Sequence, residues 1–140
     1  MRISEICRDI GRRLKSEFPE SLAYVENITH GAEGNFLLVI TEISDGRGIV
    51  PRKKRSVSFD IVYFTKPRDT LGFADWAERM EKTLGTLSAD GQIFHTSARN
   101  AVRTDMQFHY MFTVSADFIE YSTETPEMGV LEGTYGIKNE

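Results

Sequence analysis

From Asp105 to Ile119 the chain reads as one long β-strand of unbroken two-residue alternation. Met106, Phe108, Tyr110, Phe112, Val114, Ala116 and Phe118 fall on one side. Gln107, His109, Met111, Thr113, Ser115 and Asp117 fall on the other. Strand side chains point alternately to opposite faces, so this segment belongs in a sheet with one fully apolar face and one mixed face. The apolar face must be covered.

Two amphipathic helices supply the cover. Ile3, Ile6, Cys7, Ile10 and Leu14 recur at helical spacing before Pro19, which predicts a helix over Ile3–Phe18, with Arg2 or Ser4 at its start. Arg8, Asp9, Arg12, Arg13 and Glu17 fall on its solvent side. Phe73, Trp76, Ala77, Met80 and Leu84 predict a second helix, capped by Asp69 or Thr70 and ended near Gly85. On its outer face Asp75 precedes Arg79, and Glu78 precedes Lys82, at the spacing of helical ion pairs.

The remaining segments read as strands. Leu22–Ile28 is a short, weak one, followed by a turn framed by Gly31 and Gly34. Phe36–Ile43 is apolar and ends at the turn-forming Asp45-Gly46-Arg47-Gly48. Val57, Phe59, Ile61 and Tyr63 then alternate with Ser58, Asp60, Val62 and Phe64, giving a hairpin with a long tip. Asp90-Gly91 turns the chain into Gln92–Arg103, a strand or two with a kink near Asn100. The expected order is α-β-β-β-α-β-β. The fold class is α+β, one mostly antiparallel twisted sheet with two helices packed on one face. Residues 1–119 form the domain, and 120–140 an extended C-terminal arm rather than a second domain.

Size and composition exclude several classes. The chain has 140 residues with 40% hydrophobic and 27% charged content, as in an ordinary single globular domain. A net charge of -4 argues against a generally basic nucleic-acid binder. No apolar run reaches the ~20 residues that span a bilayer, and the start lacks a secretory pattern. A single cysteine, Cys7, cannot form an internal disulfide and fits a reducing compartment.

Chemistry is hard to find. His30, His95 and His109 lack the spacing of metal ligands, and Cys7 sits inside an apolar helical stripe. The G-x-S-x-G, Walker and dinucleotide fingerprints are absent. The expectation is a protein without catalytic residues, metal or cofactor.

Two features exceed what a globular domain needs. The first is Pro51-Arg52-Lys53-Lys54-Arg55, with Arg47 just before it, at the hairpin tip. Such a cluster can keep a tip soluble, or aim at phosphate or a carboxylate-rich surface. The second is the arm, where Glu120, Glu124, Glu127 and Glu132 are interspersed with Met128, Val130, Leu131, Tyr135 and Ile137. Termini fray unless docked, yet five sizeable apolar side chains favour docking. An extended arm can add to the sheet edge of a neighbour, and a basic tip complements an acidic arm across a head-to-tail interface.

Taken in order, the helix ending at Phe18-Pro19, Phe36-Leu37-Leu38-Val39-Ile40, Ser56-Val57-Ser58-Phe59-Asp60-Ile61-Val62-Tyr63-Phe64, Trp76-Ala77-Glu78-Arg79-Met80 and Met128-Gly129-Val130-Leu131-Glu132-Gly133 resemble the tail terminator family of long-tailed phages and phage-like contractile particles. That resemblance implies a structural, non-enzymatic protein that forms a homo-hexameric ring on the tail tube. The ring ends tube polymerisation and offers a joining surface to the head connector, or to a cap and the sheath. DNA could pass through it without specific binding. The implied location is the tail end or neck of a virion or phage-like particle, assembled in the host bacterial cytoplasm, with no membrane partner. On this reading Arg47, Arg52, Lys53, Lys54 and Arg55 face the tube, the lumen or a neighbour. Met128, Val130, Leu131, Tyr135 and Ile137 dock between subunits.

The rival reading is a single-stranded nucleic-acid binding α+β domain, with the basic tip supplying charge and Phe59, Tyr63, Phe108 and Tyr110 supplying stacking.

Overall fold

A computed structural model describes residues 1–25, 33–47, 52–66 and 69–119. Within them the order is α1 (Ile3–Glu17), β1 (Ala23–Tyr24), β2 (Phe36–Arg47), β3 (Arg52–Phe64), α2 (Thr70–Leu84), β4 (Thr86–Ala89), β5 (Gln92–Arg103) and β6 (Gln107–Ile119). The strands form one six-stranded sheet in the order β1-β2-β3-β6-β5-β4. β1 runs parallel to β2, and β5 runs antiparallel to both β4 and β6. Facing side chains Ser56–Ser115 and Ser58–Thr113 run in opposite chain directions, so β3 and β6 are antiparallel too. The α+β class and the mostly antiparallel sheet with two helices stand as expected.

The chain divides into two compact units, Met1–Asp45 with Arg55–Ala116, and Gly46–Lys54 with Asp117–Glu140. The first holds both helices and the core. The second takes in the end of β2, the start of β3 and the end of β6.

The core forms as the periodicities require. Ile6, Ile10 and Leu14 of α1, with Trp76, Met80 and Leu84 of α2, pack on Phe36, Phe59, Ile61, Phe108, Phe112 and Val114 of the sheet. Phe108 sits within an aromatic cluster, with ring centroids 5.0 Å from Phe73, 5.1 Å from Trp76 and 6.3 Å from Tyr63. Met106 departs from the expected apolar face: it precedes the first residue of β6 and is exposed. Cys7 is half-buried against the core, and burial pushes its thiol pKa up.

The ends of α2 are satisfied by nearby groups. Asp69 caps α2 by accepting the Gly72 amide at 2.8 Å. At the other end Gly85 keeps helical geometry (φ -65°). What glycine supplies here is room, because a Cβ would come within 3.1 Å of the Glu81 carbonyl. Buried Thr96 donates its hydroxyl to the carbonyls of Leu84 (2.9 Å) and Gly85 (3.0 Å), closing carbonyls the helix leaves open.

Four further sequence expectations are corrected. Thr86–Ala89 is a strand that the sequence reading did not assign, with Leu87 and Ala89 buried. It pairs with β5 through a two-residue turn in which Asp90 (φ 53°) and Gly91 (φ 77°) are both left-handed. β2 runs straight through Asp45, Gly46 and Arg47, because pairing along β3 outweighs their turn preference. Arg52–Arg55 accordingly lie in β3 rather than in a loop. Arg79 reaches Glu17 at 3.0 Å, and its guanidinium covers the Phe18 ring at 4.1 Å, joining the two helices instead of pairing with Asp75.

The fourth correction is Asp9, which is buried rather than solvent-facing. Its carboxylate accepts from Arg12 (2.7 Å), Arg13 (2.7 Å) and the Ser88 amide (2.7 Å), tying α1 to β4.

The kink expected near Asn100 is a register shift between Ser97 and Asn100, with Ala98 at φ 51°. The turn at Gly31 and the end of the weak strand near Ile28 lie outside the described residues. One buried polar group invites a test. The Tyr110 hydroxyl has no hydrogen-bond partner among the described residues, and burial raises its pKa. Tyr110→Phe should therefore leave the free energy of urea unfolding within about 0.5 kcal/mol of wild type, or raise it, since no bond is lost.

Candidate functional site

The sheet face away from the helices carries a polar ladder between β3 and β6. Ser56 meets Ser115 at 2.9 Å, and Ser58 meets Thr113 at 3.0 Å. One step on, His109 Nδ1 lies 3.1 Å from an Asp60 carboxylate oxygen, and its Nε2 lies 3.2 Å from Gln107 Oε1. The imidazole is thus held on both sides, with about a fifth of the His109 and Asp60 side chains exposed. Val62 is buried on this face and Met111 is half-buried. The hydroxyls are engaged with one another, so the ladder is a set of matched pairs rather than a nucleophile and its base.

The sequence placed Asp60 and His109 on mixed faces but could not pair them. That pairing needs the β3–β6 register, which no local pattern carries. Among the described residues no group of three or more His, Cys, Asp or Glu could hold a metal. Nor is any described helix long and apolar enough to cross a membrane.

The basic residues fall on paired strand ends. Arg47 ends β2, and Arg52, Lys53, Lys54 and Arg55 open β3. Arg55 Nε binds Asp45 at 2.7 Å across the two strands, an exposed pair. Lys54 is exposed and Lys53 partly so. Met128, Val130, Leu131, Tyr135 and Ile137 lie outside the described residues.

The stacking residues of the rival reading are elsewhere. Phe59, Phe108 and Tyr110 are buried in the core, and Tyr63 packs against it. Those rings cannot receive bases without unfolding the sheet.

These features define a small α+β sheet protein with one face sealed by helices and one face of paired polar groups. A family model for the phage tail terminator protein matches residues 5–128, and the chain belongs to that family. Its role is structural, in tail completion during virion assembly. Comparison with curated proteins finds no match.

Proposed function

We propose that the protein assembles as a ring of six copies on the end of the tail tube. The ring ends tube polymerisation and presents the surface that a head connector, or a cap and sheath, joins. The observation that carries this reading is the family match over residues 5–128, which runs from within α1 to beyond β6. The open face supports it, because matched hydroxyl and His–Asp pairs suit specific, partly hydrated contacts between proteins. The protein acts by contact, without catalysis, at the tail end of the particle, after assembly in the host bacterial cytoplasm.

In this reading Arg47, Arg52, Lys53, Lys54 and Arg55 meet the tube, the lumen or an adjacent subunit. Residues 120–140 serve as an inter-subunit arm through Met128, Val130, Leu131, Tyr135 and Ile137.

Replacing Arg52, Lys53, Lys54 and Arg55 together by Ser should abolish capping with little effect on folding. The exposed Arg55–Asp45 pair accounts for less than about 1 kcal/mol. Urea unfolding and electron-microscopic counts of capped tubes read the two effects separately. Normal capping by the variant would remove these residues from the interface.

The function itself is tested by deleting the gene and measuring tail length by negative-stain electron microscopy. Tubes of uncontrolled length, or without caps, are expected. Tubes of normal length and normal ends would overturn the reading.

A further inference from the structure

An open sheet has two edges, and an unblunted edge invites pairing with another chain. One edge here is formed by β4 and, beyond it, by β5. β4 is short, and its register covers only Gln92–His95 of β5. The residues before β4, which would have to continue it, are Gly85 and helix α2. From Ser97 to Arg103, β5 therefore has β6 on one side and no described strand on the other. Of these positions all but Ala101 are exposed.

Both parts of the edge carry an obstacle. Thr96 donates its amide to the Gly85 carbonyl at 3.1 Å, which sets the phase of the β4–β5 ladder and turns the Ser88 amide outward. Buried Asp9 accepts that amide at 2.7 Å. The donor that an incoming strand would use is already taken.

On β5 the obstacle is the bulge. Thr104 donates to the Gln107 carbonyl at 2.8 Å, so Asn100 and Val102 bond β6, while Ala101 and Arg103 turn their main-chain groups outward. Between the pairs Ser97↔Thr113 and Asn100↔Met111, β5 advances one residue more than β6. Ala98 stands in that step at φ 51°, a left-handed conformation that alanine adopts only when its surroundings hold it there. A regular strand cannot follow the step. Arg99 and Arg103 flank it, and the Arg99 side chain stays 39% exposed beside Glu81. Two copies meeting through this edge would set arginine against arginine.

We propose that the β4–β5 edge is closed to strand addition, by Asp9 on β4 and by the Ala98 bulge on β5, so that copies of this chain cannot join edge to edge there. A short edge strand, a covering helix, a bulge and charge are the means by which sheets avoid such association. A protein that must assemble in one arrangement gains from barring another.

Hydrogen exchange of the full-length protein tests whether the edge is unpaired. The amides of Ala101 and Arg103 should exchange at least about tenfold faster than those of Asn100 and Val102. Equal protection of all four would mean that a strand covers this edge, and would overturn the proposal.

Deleting Ala98 tests the bulge. The deletion restores the register, placing Arg99 opposite Phe112 without turning any later residue to the other face. Combined with Arg99→Thr and Arg103→Thr, it should produce species larger than wild type in sedimentation velocity. Adding Ala101→Pro, which removes an outward amide, should abolish them. A folded deletion variant of wild-type size would overturn the proposal, as would association that survives Ala101→Pro. Should the deletion prevent folding, the exchange pattern decides the matter.

Discussion

Asp9→Ala should lower stability by about 3 kcal/mol, measured by urea unfolding, although Asp9 lies on a helix face rich in charge. The substitution removes the acceptor of the Ser88 amide and leaves Arg13 without its carboxylate at a partly buried site. Arg12 contributes less, since its side chain is 66% exposed. Asp9→Asn keeps an oxygen for Ser88 while losing the charge, so it should cost about half as much.

The same site predicts a pH dependence. Desolvation pushes the Asp9 pKa up, but the Ser88 amide, the hydrogen bonds of Arg13 and Arg12, and the Arg13 charge together hold it below the usual value. A carboxyl depressed in the folded state contributes stability that is complete above its unfolded pKa, about 4. That contribution is lost as pH falls through the folded value. Wild type should therefore lose stability on acidification below about pH 4, and Asp9→Asn should lose less over that range. Parallel acid titrations of both proteins would refute the assignment.

Phe108→Ala should cost about 4 kcal/mol, the largest effect expected of a single core change. The ring is 1% exposed and sits among Phe73, Trp76 and Tyr63, so its removal opens a cavity walled by other large rings. Those neighbours come from α2 and β3, two separate elements, and cannot collapse together into the gap. A domain of this kind has about 5–15 kcal/mol in total, so the variant should sit near the edge of folding. Phe108→Leu, which keeps most of the volume, should recover more than half of the loss. A loss of unfolding free energy under about 1 kcal/mol for Phe108→Ala would mean that the ring does not carry the packing assigned to it.

Both residues bear on function through the sheet. Asp9 secures α1 to β4, one edge strand. Phe108 secures β6, whose opposite face carries His109 and Thr113 of the polar ladder. Loss of either should therefore reduce assembly in proportion to unfolding, unlike the basic quadruple variant, which should leave folding intact.

The sequence by itself determined the elements whose signal is local. The two-residue period of β3 and β6, the helical stripes of α1 and α2 and the turn at Asp90-Gly91 can each be read from adjacent residues. Side-chain direction is set by backbone geometry, so a periodic pattern names both the element and its buried face. The family likeness in the order of segments was legible on the same terms.

Tertiary structure decided what depends on distant partners. Asp9 reads as a solvent residue until the Ser88 amide, 79 positions away, reaches it. His109 and Asp60, 49 positions apart, become a pair only through strand register. Asp45-Gly46-Arg47 has turn chemistry, yet stays in β2 because β3 lies alongside it. The four residues of β4 are too few to carry a period, and they become a strand because β5 folds back on them and α1 covers them. Hydrogen bonds and burial between remote segments form only once the chain has closed. No local pattern encodes them.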